Sequence, residues 1–360
     1  MTDRSRELRK ILEAHGLDAL FITGSANQRY LEGFTGGGCF MLATAKKNFL
    51  IADSRYTEMA RAECLSAEVV AHQTPNAPLR DVVARLAGDN GLRKIGFEKN
   101  RLAWNLYDDI AKAISGVRAE LVPTSSVVDG IRAKKDSAEA KAIETACGIA
   151  DRALESVLSV VREGISELDL KVELDYSLKT GGAEDAAFDT MVLFGASASR
   201  PHANSRRDAR LKPGDFILID FGACLDGYRS DTTRTFVFGH AGEGQKKAYD
   251  AVLRAQKASL EAVSPGANGR DINGIALEII RGEGYPAFEY GIGHGVGLEI
   301  HEEPFMRQNK NVFLDAGMVV TVEPGIYKPH WGGIRIEDTV LVTPGGHKTL
   351  TRFPKELMEL

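Results

Sequence analysis

Cysteine is scarce and dispersed in this sequence: four residues in 360, Cys39, Cys64, Cys147 and Cys224, with no CxxC spacing. That excludes a disulfide framework and a thiolate zinc cluster, and reads as reduced thiols in a cytoplasmic protein. Long apolar runs are missing too; none approaches the roughly 20 residues that a bilayer span requires. Met1 to Lys10 alternates charged residues and lacks the apolar core of a signal peptide. No sign of charge dominates, since 45 basic and 50 acidic residues leave −5 and the Lys134–Lys135 pair is too short a run to form a patch. Neither nucleic acid nor a membrane is therefore an expected partner. Several catalytic signatures are absent as well. There is no HExxH and no GxSxG, and Gly36–Gly38 is followed by no Lys-Ser/Thr, so it reads as a turn. Gly291–Gly297 does not fit a dinucleotide fingerprint, and Asp220-Phe221-Gly222 stands without the other kinase signatures.

A chain of 360 residues is long enough for two domains at roughly 100–200 residues each. The first third alternates apolar runs (19–23, 40–44, 48–52, 96–98) with helical spacing at 53–63, a mixed α/β pattern. Pro123 and Ser125–Ser126 break it. A long helix is then expected from residue 137 towards 162, opened by Asp136 and Glu139 at capping-box spacing. The expected organisation is a domain over 1–125, a linker over 126–136 and a second domain over 137–360.

The second domain contains an internal repeat. Leu211, Gly214, Asp220 and Gly222 recur at identical offsets as Leu314, Gly317, Glu323 and Gly325. A second block follows each, Gly227, Arg229, Asp231 and Thr233 against Gly333, Arg335, Glu337 and Thr339. Two helical segments precede each half, at 137–162 and 167–180, then at 243–262 and 270–281. The pattern predicts a duplicated helix–helix–strand–strand unit with its acids placed symmetrically about a shared interface, an arrangement suited to two ions.

Asp220 and Glu323 each end an apolar strand, where a carboxylate is costly to bury unless paired or bound to metal. The plain alternative is a turn cap or an arginine partner, and for one such acid it would win. Four at duplicated positions, Asp220, Asp231, Glu323 and Glu337, favour metal. His294, framed by Gly293 and Gly295 with His301 seven residues on, supplies a nitrogen ligand. Hard oxygens with one imidazole suit two divalent cations, manganese first, with cobalt or zinc as alternatives.

These residues resemble the metallopeptidases of the pita-bread fold, which include aminopeptidase P, prolidase and methionine aminopeptidase. The likeness rests on Pro201-His202, Ile219-Asp220-Phe-Gly, Tyr228-Arg-Ser-Asp231-Thr-Thr, Gly293-His294-Gly-Val-Gly, His301-Glu, Val322-Glu323-Pro-Gly and Arg335-Ile-Glu337-Asp. It covers nearly the whole chain. The resemblance implies that Asp231 and Glu337 bridge both ions, that Asp220 completes one shell, and that His294 and Glu323 complete the other. It further implies that Glu323 moves the proton of the attacking water, that His202 and His301 contact substrate, and that Arg335 supports the cluster. Asn27, Tyr30, Phe34, Asp53 and Tyr56 resemble the creatinase-type N-terminal domain of aminopeptidase P and prolidase, which methionine aminopeptidases lack.

The implied activity is hydrolysis of the Xaa-Pro bond in short proline-containing peptides, by a homodimer. Many prolidases place an arginine directly after the proline of His-Glu-x-Pro to hold a dipeptide's carboxylate. Here Phe305 follows Pro304, and Arg307 lies two places further on. The expectation is therefore an Xaa-Pro aminopeptidase, with a dipeptidase as the alternative. Creatinase, which works without the metal set, is disfavoured by the five intact ligand positions. A non-catalytic binding module is the rival from another class, and it should carry no metal.

Overall fold

The computed structural model describes residues 3–73, 75–286 and 291–360. The chain divides into two compact units, Met1–Arg132 and Ala133–Leu360.

The first unit is built on a six-stranded mixed sheet. Its order is Glu68–His72, Asn48–Asp53, Cys39–Thr44, Ala19–Ile22, Lys94–Glu98 and Glu120–Thr124. Its apolar strands are buried against helices Leu79–Asp89 and Trp104–Ser115 through Phe21, Leu42, Ile51, Val83 and Ile110. The helix expected from Asp53 starts only at Thr57. Asp53 instead closes a turn, accepting the Arg55 N–H at 3.0 Å while its carbonyl accepts from Tyr56 at 2.9 Å. Residues 126–136, read from sequence as a linker, contain a helix over Val127–Arg132. Arg132 is 2% exposed and donates to Asn27 Oδ1 at 2.7 Å, so this helix is packed into the first unit.

The second unit opens on the helix Ser137–Leu158. Asp136 Oδ1 accepts from the N–H groups of Ala138 and Glu139, both at 2.9 Å, while Glu139 Oε2 accepts from Asp136 N–H at 2.8 Å. This is the reciprocal cap that the sequence predicts. The helix stops four residues short of 162, because Ser159 N–H turns back to Ser156 O at 3.2 Å and tightens the last turn.

The repeat is a structural one. Helices Ser137–Leu158 and Glu167–Thr180 precede a sheet of Met191–Phe194, Phe216–Phe221 and Thr232–Val237. Helices Glu243–Glu261 and Gly269–Gly282 precede Gly293–Gly295, Val319–Val322 and Asp338–Thr343, in the same order, with Glu302–Met306 and Gly346–Thr349 added at the edges. Each half buries its helices on one face of its own sheet. Ile149, Ala153 and Leu170 pack on Ile217, Ile219 and Phe221. Val252, Ala255 and Ile272 pack on Val320, Val322 and Val340.

Candidate metal centre and cleft

The alternation of strand side chains decides where the acids point. Ile217, Ile219 and Phe221 belong to the helix-side core, so Leu218 and Asp220 face the other way. In the second half Val320 and Val322 face the helices, which turns Thr321 and Glu323 to the opposite side. There Thr321 Oγ1 donates to Glu323 Oε1 at 3.2 Å. Asp231 stands directly before Thr232–Val237, and Glu337 directly before Asp338–Thr343, at the equivalent places of the duplicated sheets. Gly293 lets the His294 strand lie against its neighbour, since a Cβ there would fall 2.0 Å from Thr321 O.

All eight residues singled out from sequence line one cleft of about 210 Å³: His202, Asp220, Asp231, His294, His301, Glu323, Arg335 and Glu337. His294 Nε2 lies 3.2 Å from Glu323 Oε1 and 3.5 Å from Asp231 Oδ2. Asp231, His294 and Glu337 each present a ligand atom within 4.8 Å of the others. The His301 ring stands edge-on to His294, with centroids 4.4 Å apart. Arg335 is 4% exposed and acts as a hub: it donates to Thr233 Oγ1 at 2.9 Å, to the Tyr327 hydroxyl at 2.7 Å, and pairs with Asp220 Oδ2.

The charge of this cleft is unbalanced. Four inner carboxylates face one guanidinium, a formal excess of three negative charges, while the fifth acid of the lining, Asp189, is exposed and pairs with Lys171 at 2.9 Å. Burial pushes the carboxyls of Asp231 and Glu337 well above the ordinary range, and neighbouring carboxylates push them further: Glu337 acting on Asp231, and Glu323 and Asp220 on Glu337. Burial also raises Asp220 despite the Arg335 guanidinium beside it. Glu323 differs. Burial raises it, but the hydrogen bond and charge of His294, with Arg335, more than offset this and hold it below its usual value.

Two orphaned atoms show what the site is shaped for. Asp220 Oδ1 and Glu337 Oε1 are buried without a hydrogen-bond partner among the described residues. A buried carboxylate oxygen left so is costly, and a cation is the partner that satisfies it. Oxygen donors with one imidazole fit hard or borderline divalent ions, and two of them would reverse the excess charge and lower the raised carboxyls.

Sequence reasoning missed Tyr327, Thr321 and the cleft-lining Phe188, Thr190 and Ile300. Thr233 carried a signal, since it falls in step with Thr339 in the repeat; its hydroxyl donates to Glu337 Oε2 at 2.7 Å. Tyr327 carried none, because its contact with Arg335 depends on a hairpin closing between Gly325–Lys328 and Gly332–Arg335.

Comparison with known proteins agrees with this geometry. Residues 4–134 match the creatinase/prolidase N-terminal domain and residues 141–344 match metallopeptidase family M24. The Xaa-Pro dipeptidase of Pyrococcus furiosus is 36% identical over 361 residues, covering 99% of this chain and 100% of that protein. Among solved structures, an Xaa-Pro dipeptidase from Bacillus anthracis superposes with a TM-score of 0.94 at 36% identity, covering 99% of each chain. An X-Pro aminopeptidase from Thermotoga maritima superposes at 0.88 with 32% identity, covering 99% of this chain and 100% of that one. With its N-terminal domain of creatinase type, its duplicated pita-bread unit and its cleft of acids and histidines, this chain belongs to metallopeptidase family M24.

Proposed function

We propose that this protein is an Xaa-Pro dipeptidase that holds two divalent cations, manganese first among the candidates, on Asp220, Asp231, His294, Glu323 and Glu337. The observation that carries the substrate class is full-length likeness to proteins named Xaa-Pro dipeptidase, at 34–36% identity. That support reverses the preference for an aminopeptidase drawn from Phe305. The placement of Arg307 gives a physical reason. Phe305 pairs with His294 across the antiparallel strands, and the Arg307 guanidinium lies over the Phe305 ring, 4.7 Å from its centroid. A positive charge is thus held beside position 305, stacked on an aromatic face and near enough to act on His301. The aminopeptidase remains the second reading, favoured by the Thermotoga maritima structure. A homodimer in the cytoplasm completes the proposal; among the described residues no helix is long and apolar enough to cross a membrane.

The bound ions would supply Lewis acidity, polarising the scissile carbonyl and making water a nucleophile near neutral pH. The chain supplies the rest. Glu323 accepts the proton of the attacking water at its carboxylate and returns it to the prolyl nitrogen as the C–N bond breaks. His301 and His202, at the cleft wall, donate to the oxygen that gains charge. Arg335, anchored by its Nε–H on Thr233 Oγ1, holds Asp220 in place by donating to Oδ2.

Two variants test these roles. Arg307→Ala should lower kcat/KM for Ala-Pro about 10- to 100-fold, mostly through KM, as expected for a lost charge-assisted hydrogen bond. The tripeptide Ala-Pro-Ala should change less than about threefold. Equal losses on both substrates would remove Arg307 from carboxylate recognition. His301→Ala should keep its metal while kcat falls about 100- to 1000-fold, the usual loss for one oxyanion donor. Loss of metal in step with activity would show that His301 holds the cluster instead.

A further inference from the structure

Lys135 and Glu302 form an ion pair that the peptide chemistry does not use. Lys135 Nζ lies 2.8 Å from Glu302 Oε1, and both side chains are 1% exposed. Lys135 is fixed at both ends. Its backbone N–H donates to Gly317 O at 2.8 Å, and its ammonium also donates to Ala133 O at 3.1 Å. Glu302 directly follows His301 and pairs with Gly295 across the strands, next to His294. Its second oxygen, Oε2, accepts from Glu299 N–H at 3.3 Å, so the carboxylate spans the turn that leads to His301. The fit is close, because a Cβ on Gly297 would come within 2.4 Å of Glu302 Oε1 and the carboxylate would have to move.

Burying two opposite charges is weak evidence for stability, because the lost hydration of each ion consumes most of their attraction. A pair like this keeps its place where it fixes one conformation rather than many. We infer that Lys135 is a positioning residue: through Glu302 it locks the 295–302 turn and so sets the angle at which His301 meets the substrate carbonyl. Neither Lys135 nor Glu302 lines the cleft. The effect is therefore one of geometry, and a misplacement of about 1 Å in such a group is enough to cost about 100-fold in rate.

This inference rests on the peptidase reading, and wild-type turnover tests that reading separately. The informative variant is Lys135→Met/Glu302→Met, which removes both charges together and leaves no unpaired ion in the core. It is read in a cycle with His301→Ala, by kcat/KM on Ala-Pro, bound manganese and thermal midpoint. With fold and metal retained, we expect kcat/KM to fall about 10- to 100-fold, chiefly through kcat. In the His301→Ala background the same change should cost less than about threefold, because the residue it positions is gone. Three results would overturn the inference: turnover within about threefold of wild type, a full loss repeated in the His301→Ala background, or loss of metal in place of kcat. A purely structural role would move the thermal midpoint and leave the cycle additive. Should the double variant fail to fold, Lys135→Met/Glu302→Gln, which removes the ion pair and its hydrogen bond but keeps the shape at 302 and leaves no buried charge, is read on the same cycle against the same three results. A wild-type protein that cleaves no Xaa-Pro peptide would instead count against the peptidase reading alone.

Discussion

Asp231→Asn should abolish metal retention and turnover together. The amide keeps the shape of the side chain but brings no charge to a position 3.5 Å from His294 and within 4.8 Å of a Glu337 oxygen. Transition-state stabilisation by metal is worth several kcal/mol, and at 1.4 kcal/mol per decade its loss lowers kcat/KM by about a thousandfold or more. The same substitution has a second, opposite signature. In metal-free protein it removes one of the crowded buried acids whose ionisation is resisted by burial and by Glu337. The stripped variant should therefore melt no lower than stripped wild type at neutral pH. Kinetics, metal analysis and calorimetry on one preparation check all three. Near-normal turnover, or an unfolded variant, would each contradict the assignment.

Removal of the metal should destabilise the protein increasingly as pH rises. Asp231 and Glu337 have folded-state carboxyls raised well above their ordinary values, chiefly by burial. Such groups stabilise the metal-free fold most fully below the unfolded value of about 4, and this stability is lost as pH rises through the raised folded values. Glu323, held low, acts in the reverse sense, but its window lies below about pH 4 and does not affect neutral solutions. Cations replace the protons, so the loaded protein escapes the loss. At a hundredfold excess over Kd, binding adds about 2.7 kcal/mol, or about 5–10 °C in Tm for a domain of this size. The gap between loaded and stripped Tm should thus widen from pH 5.5 to pH 8. A gap that stays constant or narrows would mean that these acids do not face an ion.

Much of this was legible because it is local or repeated. The Asp136–Glu139 cap is read from four residues and is present as read. The two sets of acids fall in register because the same offsets recur in both halves, and period-two alternation then sends Asp220 and Glu323 away from the helix-side cores. What failed to show depends on contacts between distant segments. Lys134–Lys135 was dismissed as a short charge run, yet Lys135 meets Glu302 across 167 positions of sequence. The 126–136 stretch has linker composition, but Arg132 finds Asn27 and draws its helix into the first unit. The stacking of Arg307 on Phe305 is local, two residues apart, but it depends on side-chain directions that the order of residues does not give.

The most direct test of the central claim compares hydrolysis of Ala-Pro and Ala-Pro-Ala by metal-stripped protein, with manganese, cobalt or zinc added back. The account predicts no cleavage without metal, and Ala-Pro hydrolysed in strong preference to the tripeptide once a divalent cation is restored. Preferential cleavage of Ala-Pro-Ala between alanine and proline would contradict the dipeptidase reading in favour of an aminopeptidase. Cleavage of neither peptide with any of the three metals would contradict the assignment of a working dinuclear site.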